Sequence, residues 1–263
     1  SGNSAWLQAR QYLKNDIINF YNNSPSEHHH TEYQVDVFAH TWENDNFDND
    51  EFLEWYQPKS YVIEPQRHFE EEVNQISVSH VEKVRYSTFS WAYSRWKSVD
   101  LKQKYEKQHG FVYDVVLMCR YDHAHRYEWH KPAFEFNPWF DMEYVYGEYW
   151  AGFNEGPGDI YFYSKSENID KIANLYNRLV EYLKADSEYE KLLLNNWPYG
   201  STSDPTSNEV FRPLYKRNAE PCQLPYTDKK GNHSIMKWHM MNHNLYTKIR
   251  PLGKYYTKDK SEY

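Results

Sequence analysis

Residues 111–119 read Phe-Val-Tyr-Asp-Val-Val-Leu-Met-Cys, and this stretch decides the fold class. It is the most apolar run in the chain, rich in β-branched residues, with Gly110 before it and the charges of Arg120 and Asp122 after it. A short run of that kind predicts a central, doubly covered parallel strand. Upstream, 81–108 predicts a long helical segment that His109-Gly110 stops. Further upstream, Tyr33–Ala39 (YQVDVFA) and Ser60–Glu64 (SYVIE) predict strands. A short helix over Phe52–Tyr56 is expected between them. Residues 5–22 precede both as an amphipathic helix, with Leu7, Leu13, Ile17, Phe20 and Tyr21 at helical spacing. Downstream, Ile160–Tyr163 predicts a strand and Ile169–Leu183 an amphipathic helix. Helical patches are expected near 207–216 and 239–248. Strands alternating with helices predict an α/β fold with a mostly parallel sheet and a less regular C-terminal portion.

Composition bounds the function classes. The 263 residues, 40% of them hydrophobic, can bury a core as one domain over 1–263. No stretch approaches the ~20 apolar residues of a membrane-spanning helix, and the first residues lack a basic-then-apolar leader pattern. Two cysteines, Cys119 and Cys222, make no disulfide framework and fit a reducing, cytoplasmic setting. A net charge of −8 argues against general nucleic-acid binding. The basic segment Lys248–Lys260 reads first as a solvated tail. Aromatic residues reach 19%, with 26 Tyr and 10 Trp, which suits either stacking on sugars and bases or filling a core.

Ligands of open α/β sheets bind beyond the carboxyl ends of the strands. The apolar strand runs out into Arg120-Tyr121-Asp122-His123-Ala124-His125. Asp122 and His125 are candidate ligands for a divalent cation such as Mn²⁺ or Mg²⁺, with Arg120 facing the same phosphates. An Arg120–Asp122 ion pair is the plainer alternative. Asp48-Asn49-Asp50 is a rival D-x-D, read as a solvated loop. The run Glu27-His28-His29-His30 also reads as a loop. His239 and His243, four apart, share a helix face but have no catalytic Glu between them, so a metal hydrolase is the weaker alternative.

Four segments carry a resemblance: Val35–Trp42 (VDVFAHTW), Pro58-Lys59, 90–106 (SWAYSRWKSVDLKQKYE), and Tyr113–Val116 with Arg120-Tyr121-Asp122. In order and spacing they resemble the WavE-like lipopolysaccharide-synthesis glycosyltransferases and the capsid-glycan glycosyltransferases of large algal viruses. The resemblance covers about 33–125, and more loosely 159–183. It implies a GT-A-like fold, a nucleoside-diphosphate-sugar donor, a glycan or glycoprotein acceptor and usually a metal. For a viral member it implies a host-cell cytoplasm. Residues 1–125 would form the donor half and 126–263 the acceptor half. His40, Thr41 and Trp42 would border the nucleotide, Tyr93, Ser94 and Lys97 would flank the donor, and Asp122 would hold the metal. Two departures stand out. No D-x-D occurs at Asp122, and the strand that usually leads into a Ser-Gly turn is absent ahead of Ser1-Gly2. For the base that takes the acceptor proton, Asp159 is the candidate, on the Gly156-Pro157-Gly158 turn, ahead of Glu155 and Glu209. An Asx-type turn is the plainer account of Asp159. A non-catalytic carbohydrate-binding scaffold is the alternative to the enzyme.

Overall fold

The computed structural model describes residues 11, 13–23, 33–43, 48–76, 86–120, 140–148, 157, 158, 160–189, 191 and 232–252. The first strand, β1 (Phe38–Trp42), begins where a partner becomes available. Its neighbour β2 (Ser60–Glu64) runs parallel, pairing Phe38 with Ser60 and Trp42 with Glu64. Ahead of it, Val35 N–H bonds the Asn22 side chain at 2.7 Å and the Val37 carbonyl accepts from Lys59 N–H at 2.8 Å. The strand expected over Tyr33–Ala39 is therefore displaced toward the C-terminus, and His40-Thr41-Trp42 lie inside it. A π-helix (Leu13–Asn19) and one turn of α-helix, α1 (Phe20–Asn23), come before it in the chain.

Between the two strands lies α2 (Asn49–Tyr56). The Asp48 carboxylate caps it by accepting from Glu51 N–H at 2.9 Å, and Asp50 and Glu51 sit in the first turn. The rival D-x-D is thus a helix start rather than a loop. After a short turn of helix, α3 (Glu70–Val73), comes the long α4 (Tyr86–His109). Gly110 stops it in the left-handed region at φ 72°, where Gly110 N–H and Phe111 N–H both reach the Glu106 carbonyl.

The apolar run yields β3 (Val116–Cys119) in a second sheet with β4 (Val145–Glu148), β5 (Tyr161–Ser164) and β6 (Ile249–Leu252). The order is β3-β5-β4-β6, antiparallel at the first two pairings and parallel at the last. The expectation of a central parallel strand over 111–119 is corrected. Among the described residues β3 pairs only with β5, and antiparallel. Its first half is drawn off by α4, since Glu106 Oε1 accepts from Tyr113 N–H at 2.9 Å. The fold is mixed α/β with one parallel pair and one mixed sheet.

The helix expected over Ile169–Leu183 is two, α5 (Ser166–Ala173) and α6 (Leu175–Leu183), broken at Asn174. Ile169, Ile172, Leu175, Leu179 and Leu183 form the buried stripe of this pair. The patch near 239–248 resolves into α7 (Asn232–Asn242) and a 3₁₀ turn (Tyr246–Lys248). The 207–216 patch lies outside the described residues. α4 meets α5 through charge: Lys102, 2% exposed, reaches Glu106 Oε2 at 2.9 Å, Asp170 Oδ1 at 2.7 Å and the Ser166 hydroxyl. Cys119 is half-buried between two apolar clusters at the end of β3. Among the described residues no helix is long and apolar enough to cross a membrane.

Candidate functional site

The parallel register sets Trp42 beside Glu64 at the carboxyl ends of β1 and β2, where α/β sheets present ligand-binding groups. Glu64 Oε1 accepts from the Tyr93 hydroxyl at 2.8 Å and lies 3.0 Å from His40 Nε2. His40 is buried, and burial lowers its pKa, with the Glu64 contact opposing and the Lys97 charge adding to the fall. The ring is therefore neutral. Its Nε2–H donates to Glu64, which leaves the Nδ1 lone pair as an acceptor that is buried and has no partner among the described residues. Burial pushes the Glu64 carboxyl up, but the Tyr93 and His40 hydrogen bonds outweigh it and its pKa falls below the ordinary value. The Tyr93 phenol is raised, first by burial and then by holding its proton against Glu64. The group is an ionised carboxylate gripped by two neutral donors.

Aromatic faces and cations surround it. Trp42 stacks on Tyr93 at 5.4 Å and meets the His40 ring edge-on at 4.7 Å. The Lys97 ammonium lies 6.0 Å from the Tyr93 ring and 5.6 Å from Trp96. The Arg67 guanidinium covers Tyr93 at 5.1 Å and pairs with Glu72 at 3.0 Å. Glu72 also accepts from the Tyr176 hydroxyl at 3.0 Å. Burial first, and this bond second, push the Tyr176 phenol up to about 12.

The site borders a cavity of about 840 Å³ between β1, β3 and α4, lined in part by His40, Thr41, Trp42, Ser94 and Arg120. Six of the seven expected donor residues thus gather at one place on β1 and α4. The seventh, Arg120, is half-buried across the cavity, where its N–H bonds the Ile160 carbonyl at 3.0 Å. Asp122, His125 and Asp159 lie outside the described residues, as do Glu155, Glu209 and the Glu27–His30 run. Among the described residues no group of three His, Cys, Asp or Glu side chains is placed to hold a metal. His239 is occupied: Nε2 meets the Lys171 carbonyl at 2.7 Å and Nδ1 the Tyr182 hydroxyl at 3.0 Å. The pair it makes with His243, ring centroids 4.6 Å apart, is a packing contact.

Sequence reasoning missed Glu64, Arg67 and Glu72. The signal for Glu64 was present: it is the charged last residue of SYVIE, as Arg120 is the charge that follows the 111–119 run. Asp36 shows a different outcome. It takes the Tyr113 hydroxyl at 2.7 Å and lies 3.6 Å from Lys59, so three of the four resemblance segments meet at the amino ends of the strands, away from the site. Comparisons of the chain with protein-family models, characterised proteins and solved structures found no match.

Proposed function

We propose that this chain is a glycosyltransferase with a GT-A-like fold, moving a sugar from a nucleoside-diphosphate-sugar to a glycan or glycoprotein acceptor. One observation carries the proposal: the carboxyl end of a parallel strand pair presents Trp42, Lys97 and a buried His40 Nδ1 that has no partner among the described residues. An orphaned buried acceptor costs about 1–3 kcal/mol. A ribose hydroxyl or a base N–H of the donor would satisfy it, while Trp42 offers a stacking edge and Lys97 and Arg120 supply positive charge for phosphates.

Asp122 and His125, two and five residues beyond Arg120 in the chain, are the groups that would hold Mn²⁺ or Mg²⁺. When bound, the cation supplies charge neutralisation for the diphosphate. In the transfer, the acceptor hydroxyl oxygen bonds the anomeric carbon as the carbon–oxygen bond to the diphosphate breaks. Asp159 takes the hydroxyl proton. Glu64 stays ionised and fixes the His40 tautomer, a positioning role.

Asp159→Asn tests the assignment. Donor binding should persist while turnover falls by ~10²–10⁴-fold, the usual loss on removing a general base. Near-normal turnover, or a product that keeps the donor's anomeric configuration, removes Asp159 from the role. Binding of glycan with no turnover in the parent chain favours the non-catalytic scaffold.

A further inference from the structure

The cavity beside the site has the form of a missing strand. Its walls are the edges of β1 and β3, not their faces. A strand that shows one face to a cavity contributes alternate residues, yet here 33–42 and 113–120 line it without a gap. Hydrogen bonds fix which backbone groups turn inward. Val37 and Glu43 bond the β2 side, through Lys59 N–H to the Val37 carbonyl and Glu43 N–H to the Glu64 carbonyl. By alternation, Phe38 and His40 direct their backbone groups away from β2, into the cavity. On β3, Arg120 N–H bonds β5 at the Ile160 carbonyl, so Leu117 turns its backbone the other way, into the same space. Among the described residues no strand pairs with either of these edges.

Both strands start from one end, which the Asp36–Tyr113 bond and the Phe38–Tyr113 ring contact at 5.8 Å tie together. They therefore run side by side in the same direction. α4 roofs the space with Trp91, Ser94, Ser98 and Val99, and Leu13, Ile17 and Ile18 of the π-helix close it below. The Trp91 indole N–H is buried there without an acceptor among the described residues. Protein interiors are packed to crystal-like density, and a void of about 840 Å³ between helices and a split sheet departs far from that.

We infer that this slot takes one extended apolar strand, parallel to β1 and β3, supplied by polypeptide outside these 263 residues. Such a strand satisfies both backbone edges, which a lipid-like ligand cannot do. Its side chains alternate between the α4 roof and the Leu13–Ile18 floor. It also joins β2, β1, β3, β5, β4 and β6 into one sheet. The slot is apolar above and below, with Trp91 and Val99 on one side and Leu13, Ile17 and Ile18 on the other, so the strand it takes is covered on both faces and near-continuously apolar, and outside the described residues the sequence has no run of more than three apolar residues.

The test is hydrogen exchange on the chain alone and with two lysine-tagged peptides, one with the core Val-Ile-Val-Ile-Val and one with proline at its centre. Proline removes a ladder donor and is excluded from central strands. The first peptide, at ten times its dissociation constant, should slow exchange at His40 and Leu117 together by about tenfold, and the proline peptide should leave both unchanged. Equal effects of both peptides mean greasy binding without strand pairing and overturn the inference. So does full protection of His40 and Leu117 in the chain alone, whether as monomer or as self-associated dimer, because the slot is then filled from within these residues. The readout needs no nucleotide and stands apart from the transferase proposal.

Discussion

Acid sensitivity should concentrate at His239. The residue is wholly buried on α7, with both ring nitrogens engaged. Burial is the main reason its pKa falls to about 4, with the charges of His243 and Arg178 lowering it further and the Lys171 carbonyl opposing. In the unfolded chain the imidazole titrates near 6.5. Between about 6.5 and about 4 the unfolded state therefore binds the extra proton, and stability rises with pH. The contribution is fully present above about 6.5 and drains away as pH falls toward about 4. A difference of ~2.5 units at 1.36 kcal/mol each gives ~3 kcal/mol. His40 and His243 are also lowered, by burial first, and tilt the curve the same way, so a variant is needed to isolate His239. In His239→Gln the amide can still donate to the Lys171 carbonyl and accept from Tyr182. Urea denaturation at pH 7 and pH 4 should show the parent losing ~3 kcal/mol more than the variant. Equal losses would refute the assignment of a neutral, buried His239.

Three further substitutions have defined expected outcomes. Lys102→Met should destabilise the fold by ~3–5 kcal/mol, read by denaturant midpoint, because Glu106 and Asp170 lose their shared cation in a buried place. Trp42→Ala should weaken nucleotide binding by ~1–3 kcal/mol in calorimetry if the indole stacks on the base. A loss confined to thermal stability would make Trp42 a packing residue on Tyr93 alone. Asp122→Asn should abolish the Mn²⁺ dependence of donor binding, since an amide carries no charge for the cation, while the melting temperature without ligand stays as in the parent.

The sequence was legible where local chemistry decides structure. Glycine at 110 stops α4 and SYVIE pairs over its expected span, whereas Asp48-Asn49-Asp50, read as a solvated loop, starts a helix. It was illegible where a partner decides. The 111–119 run has the apolar character of a covered strand, but its direction and length are set by β5, fifty residues on, and by Glu106 claiming Tyr113 N–H. β1 slid along the chain for the same reason, because β2 begins at Ser60. At the site, strand-end logic found Arg120, while the resemblance supplied His40 and Trp42. It left Glu64 unremarked, because what matters there is the pairing of two strand ends, which no single segment displays. Many of the aromatic residues proved to be core: Phe69, Phe89, Tyr93, Trp96 and Tyr176 pack ring against ring beneath Trp42.

The most direct test of the transferase proposal is a thermal-shift titration of the parent chain with uridine and guanosine diphosphate-sugars, with and without Mn²⁺. A ligand held only by the native state, present at ~100 times its dissociation constant, adds ~2.7 kcal/mol to stability. The account predicts a rise in melting temperature with one of these donors, larger when Mn²⁺ is present. No shift with any nucleotide at millimolar concentration would contradict it.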